Sequence, residues 1–204
     1  FPAAERYRLM SMIDRWVIRE TLAVLGDARN QTVLGDAHFS INLSGQSLSE
    51  QDFMVFVIDA IRDSGVAPAR ICFEITETAA VSNMALALRF IERLREFGCR
   101  FALDDFGSGM SSFAYLKNLK VDYLKIDGAF IRDIISDRTN RAMVASIQEL
   151  ATLLGIRTIA EYVESREIWQ QITSMDVDYA QGYAVAHPVP LADLLRADTR
   201  PSAA

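Results

Sequence analysis

The 204 residues are 50% hydrophobic and 24% charged, with a formal net charge of −6 and only two histidines. This is the composition of an ordinary soluble globular chain. It has no basic block for a DNA or RNA duplex, no apolar run of about 20 residues to span a membrane, and no His-rich zinc site.

Short apolar runs alternate with longer amphipathic ones from residue 37 onward. Residues 37–44, "AHFSINLS", read as a strand. The next segment reads as a helix with Ser49 as N-cap and Gly65 as its stop. "RICFEIT" (70–76) reads as a strand, and 82–98 as a helix closed by Gly98. "RFALDD" (100–105) is a strand running into a Ser/Gly loop, Gly107 to Ser112, with the character of a mobile flap, and a short helix follows near "SSFAYLKNL". Strand 121–127, helix 137–155, strand 156–163, helix 165–175, strand 177–185 and helix 191–197 complete the series. Cys72 and Cys99 border apolar runs and read as buried free thiols, which implies a reducing, cytoplasmic setting.

Six strand–helix units in succession demand a parallel sheet, because each helix returns the chain across the sheet face. An open doubly wound sheet and a (β/α) barrel both satisfy this. No Gly-rich phosphate fingerprint follows any strand, which disfavours a dinucleotide-binding open sheet. The barrel is favoured because Asn42, Glu74, Asp104, Asp105, Lys125, Glu161 and Gln181 lie at or near strand C-terminal ends, where barrel active sites are built. In "FEIT", Glu74 and Thr76 share one face. In "YLKID", Lys125 shares a face with Tyr123 and Asp127.

A structural Lys–Glu network is one reading of these residues, but Lys125 alone cannot offset four carboxylates. Divalent cations can, and a set of oxygen donors selects Mg²⁺, Mn²⁺ or Ca²⁺ over zinc or copper. Two such ions about 3.5–4 Å apart suit in-line attack on a phosphodiester. The adjacent aspartates could serve two ions, one acid reaching into the mouth and the other turning aside. A Schiff-base role for Lys125 is disfavoured, because surrounding acids keep the amine charged.

The motifs "INLS", "FEITET", "ALDDFGSGMSS", "YLKID", "AEYVE" and "QGY", in this order and spacing, resemble those of EAL-domain cyclic-di-GMP phosphodiesterases. The resemblance implies a TIM-like barrel with one antiparallel strand, and hydrolysis of cyclic-di-GMP to pGpG using Mg²⁺ or Mn²⁺. It also implies site roles. Asn42, Glu74 and Asp104 would be metal ligands, Asp105 and Glu161 would serve a second metal and its water, and Lys125 would hold the attacking water or a phosphate. Glu77 would pin the loop after the Asp pair, Glu164 would support the site from behind, and Gln181 would bind a water or phosphate oxygen. Tyr162, Met110 and Val185 depart from the residues common in that family.

The family's Glu-Ala-Leu strand has no counterpart in the chain, which opens on "FPAAERY". Six of eight strand–helix units are therefore expected, with the first two strands absent from the given sequence. Residues 1–198 would form the phosphodiesterase domain and 199–204 a tail, with regulatory domains upstream and a homodimer suggested by family analogy. The chain alone is expected to hydrolyse weakly or not at all. A cyclic-di-GMP receptor without catalysis is the alternative.

Overall fold

The computed structural model describes residues 2–108 and 113–197. Six strands, β1 (Phe39–Leu43), β2 (Ile71–Thr76), β3 (Arg100–Phe106), β4 (Tyr123–Ile126), β5 (Arg157–Ala160) and β6 (Tyr179–Ala180), form one parallel sheet in the order β1-β2-β3-β4-β5-β6. A doubly wound sheet reverses strand order at a switch point. This sheet never reverses, and unbroken sequential order is that of a (β/α) barrel wall. Among the described residues, β1 and β6 are its edges.

Six longer helices accompany the strands: α1 (Met10–Gly26), α2 (Phe53–Ser64), α3 (Met84–Phe97), α4 (Arg138–Leu154), α5 (Arg166–Thr173) and α6 (Leu191–Ala197). Each apolar stripe recurs every three or four residues, as in Phe53, Val57 and Ile61 of α2 or Val144, Ile147 and Ala151 of α4, all buried. These stripes and the strand residues Phe73, Ile75, Phe101, Leu103, Leu124 and Ile126 belong to one continuous core. The opposite strand face carries Glu74, Asp104 and Lys125, so alternation along each strand separates core from site. No described helix is long and apolar enough to cross a membrane.

Some boundaries differ from the sequence reading. Ser49 is not the N-cap of α2. It follows a separate short helix, Gly45–Leu48, capped by Ser44, and Asp52 precedes α2. The expected strand 177–185 contracts to Tyr179–Ala180, because the chain turns at Gly182. Strand 156–163 ends at Ala160, just before Tyr162 enters the left-handed region. The helix α1 lies in a stretch that had no assignment. Of the flap, positions 109–112 lie outside the described residues, as does the tail 199–204.

Candidate metal centre

Lys125 on β4 is the hub. Its Nζ donates to Glu74 Oε2 of β2 at 2.8 Å and lies 2.9 Å from Asp104 Oδ1 of β3 and 2.8 Å from Glu161 Oε1 just after β5. The four side chains are only 5, 7, 13 and 12% exposed, in that order. Burial by itself would discharge the ammonium, but the Glu74 charge and the hydrogen bonds to Glu161, Glu74 and Asp104 outweigh it. The Lys125 pKa is therefore held above its ordinary value. Burial raises the Glu161 pKa, and Lys125 opposes the shift only in part.

The aspartate pair owes its arrangement to a β-bulge. Leu103 pairs with Leu124 and Phe106 with Ile126, so β3 spends three steps where β4 spends two. The extra residue breaks the alternation that would send neighbouring side chains to opposite faces. Asp105 takes φ +53, a left-handed conformation that Asp tolerates better than most residues. Its backbone N–H donates to Asp104 Oδ1 at 3.1 Å. Carboxylate oxygens of Asp104, Asp105 and Glu161 all lie within 4.8 Å of one another. Burial, then the charges of Asp104 and Asp127, raise the Asp105 pKa. Four carboxylates and one ammonium leave three uncompensated negative charges. Every donor is oxygen, so the set fits hard divalent cations.

Other predicted residues lie around this centre. Asn42 is exposed on the edge strand β1, paired in register with Glu74. Gln181 and Glu164 are exposed and, with Glu161, Tyr162, Tyr183 and His187, line a cavity of about 590 Å³. The Gln181 backbone ties β5 to β6, its N–H donating to Ala160 O and its carbonyl accepting from Val163 N. Glu77 is buried. Its Oε2 accepts from Gly107 N at 2.9 Å and its Oε1 from the Tyr115 hydroxyl at 2.6 Å, so one carboxylate grips both sides of the loop after the Asp pair. A second recess of about 550 Å³, lined by Arg95, Arg100, Lys120 and Arg157, opens at the N-terminal ends of β3–β5, away from the carboxylates.

Sequence reasoning missed the partners that hold the site. Tyr115 was not singled out, and no local pattern marks it. Tyr162, noted only as a departure, has φ +52, and its ring packs on Gly128 beneath the Arg132 guanidinium. The bulge did have a signal: two acids in succession at a strand end cannot both face inward without one.

The family model described as "EAL domain" matches residues 1–188. A protein of Shewanella oneidensis named cyclic di-GMP phosphodiesterase PdeB is 42% identical over 93% of the chain and 22% of its own length. One of Escherichia coli named cyclic di-GMP phosphodiesterase PdeF is 41% identical over 95% of the chain and 26% of its own. The chain thus spans about a quarter of the length of these curated relatives. A solved structure titled PaMucR phosphodiesterase, c-di-GMP complex, superposes with a TM-score of 0.87 at 30% identity, covering 95% of this chain and 84% of that one. The FimX EAL domain from Pseudomonas aeruginosa bound to c-di-GMP gives 0.83 at 26% identity, over 91% and 74%. With its sheet order, its acidic centre and a match over nearly its whole length, the chain belongs to the EAL domain family.

Proposed function

We propose that residues 1–198 form a metal-dependent phosphodiesterase domain that hydrolyses cyclic-di-GMP to linear pGpG. The observation that carries this is the convergence of Glu74, Asp104 and Glu161 from three chain segments on the Lys125 ammonium, with Asp105 beside Asp104 and Glu161, which leaves a negative excess suited to divalent ions. Asn42, Glu74 and Asp104 would hold one ion, and Asp105 and Glu161 the other, as Mg²⁺ or Mn²⁺. The ions supply charge neutralisation at the phosphodiester and a more acidic water.

The protein's own groups do the rest. Lys125, fixed as an ammonium, can hold the water or a non-bridging phosphate oxygen in line. Glu161, whose carboxylate has a raised proton affinity, is suited to take the proton from that water. Gln181 offers an amide to a phosphate oxygen from the cavity wall, and Glu164 lines the same cavity as Glu161. Glu77 keeps the start of the loop after the aspartates in one place. The two buried free thiols, Cys72 and Cys99, support a cytoplasmic setting.

The test incubates residues 1–204 at high protein concentration with cyclic-di-GMP and Mn²⁺ or Mg²⁺ and follows pGpG by chromatography. Slow product formation abolished by a chelator is expected. E161Q should lower kcat by about 10²-fold or more with a much smaller change in affinity, the range of a lost general base. Binding without product would leave only the receptor reading for residues 1–204 by themselves, and absence of both would end the proposal.

A further inference from the structure

Tyr162 follows Glu161 directly, and its backbone sits at φ +52, a conformation rare for a bulky side chain. That turn takes Tyr162 out of the sheet and lays its ring on the chain that follows β4. A Cβ at Gly128 would come within 2.1 Å of the ring's Cδ2 and 2.7 Å of its Cγ. The Arg132 guanidinium lies 4.0 Å from the ring centroid. Gly128 and Arg132 are four residues apart, with the Arg132 N–H bonded to Gly128 O at 3.0 Å, so they share one helical face. Glycine makes room for the ring, and arginine covers it.

The position of this contact gives it meaning. Gly128 lies three residues after Lys125, and Tyr162 one residue after Glu161. The same two segments meet inside the sheet through Lys125 Nζ and Glu161 Oε1 at 2.8 Å, and through Glu161 N to Ile126 O at 3.3 Å. We infer that the Gly128–Tyr162–Arg132 stack is a positioning device that fixes the Glu161 carboxylate against Lys125 and the neighbouring aspartates. It rests on the proposed metal centre and adds Gly128, Tyr162 and Arg132, to which the proposed hydrolysis gives no chemical role. The left-handed turn is what permits it, since an extended residue 162 would not leave the sheet to reach Gly128.

The stack acts through Glu161, which gives it a signature distinct from ordinary stabilisation. The measurement is the midpoint of an equilibrium Mn²⁺ titration of residues 1–204, with free Mn²⁺ followed by electron paramagnetic resonance, which needs no turnover. G128A, which displaces the ring, should raise that midpoint about tenfold. Y162F, which keeps the ring, should titrate like the unsubstituted chain, and R132Q should fall between them. E161Q should raise the midpoint as well, and adding G128A to E161Q should raise it little further, because both act on one carboxylate. Melting temperatures without metal reveal any variant that has lost its fold. R132Q, an exposed substitution, stands in if G128A proves unfolded, with the same lack of additivity expected on E161Q. If G128A and R132Q titrate like the unsubstituted chain, or their effects add fully to E161Q, the inference is overturned while the metal centre stands. If the unsubstituted chain does not respond to Mn²⁺, the metal centre and the inference fall together.

Discussion

Lys125 is a residue that burial should discharge and its neighbours keep charged. Removing it leaves Glu74, Asp104 and Glu161 facing one another without the ammonium that pairs all three. K125M is therefore expected to destabilise the metal-free domain by about 3–5 kcal/mol, as for breaking a buried ion pair. Urea unfolding with and without Mn²⁺ checks this, and the loss should shrink with metal present. An equal loss in both conditions would mean that Lys125 acts by packing alone. The thiols offer a pH-dependent counterpart. Burial pushes both Cys72 and Cys99 up to about 12 from 9.0. Each thiol thus favours the fold while it stays protonated, and that contribution is complete below pH 9 and lost as pH climbs toward 12. At pH 8 the native protein should resist iodoacetamide, and unfolded protein should take up two equivalents by mass. Rapid alkylation of either cysteine in the native state would contradict this burial.

At the level of elements, the junctions matter more than the strands. Glu77 opens the short helix after β2 and holds Gly107 and Tyr115 across the loop after β3. Burial, then the bond to Glu77, holds the Tyr115 pKa above the usual phenol value, so the hydroxyl remains a donor. E77Q keeps the shape but loses the charge from two hydrogen bonds, and about 1–3 kcal/mol of stability should go with it. Thermal unfolding measures that loss, and pGpG formation should fall about tenfold as the loop beside the aspartates loosens. Unchanged turnover would assign Glu77 to stability only. The alternation of strands and helices, the glycine stops and the acids at strand ends were legible because each is a local pattern of period two, of period 3.6 or of a single turn. The grip of Glu77 on Tyr115 spans 38 residues, and the Tyr162 stack joins two units through one ring. Such contacts follow from packing between elements, which local periodicity does not encode. Ser49 misled for a related reason: it ends a separate short helix capped by Ser44, and α2 starts only after Asp52.

For the molecule as a whole, charge and topology converge on one expectation. The chain is −6 overall, and three of the uncompensated charges are packed into the acidic centre. That repulsion opposes folding, and an ion seated among the carboxylates removes it without their protonation. Monovalent salt screens charges over about 10 Å at 0.1 M but barely reaches a buried cluster. Mn²⁺ or Mg²⁺ at 100 times its dissociation constant should stabilise the fold by about 2.7 kcal/mol. For a domain of this size that is roughly 5–10 °C in melting temperature. A scanning titration, repeated after chelation and against NaCl at matched ionic strength, separates seating from screening. The rise should vanish with chelator, be absent with NaCl, and be lost in D104N and E74Q, each of which removes a charged oxygen from the centre. A rise of the same size in those variants would place the ion elsewhere. Asn42 is the informative exception. It stands exposed on the sheet edge β1, beside Glu74 in register, and is neutral. N42A should therefore keep most of the metal-induced rise while slowing hydrolysis, because it removes an exposed donor from the site without changing its charge.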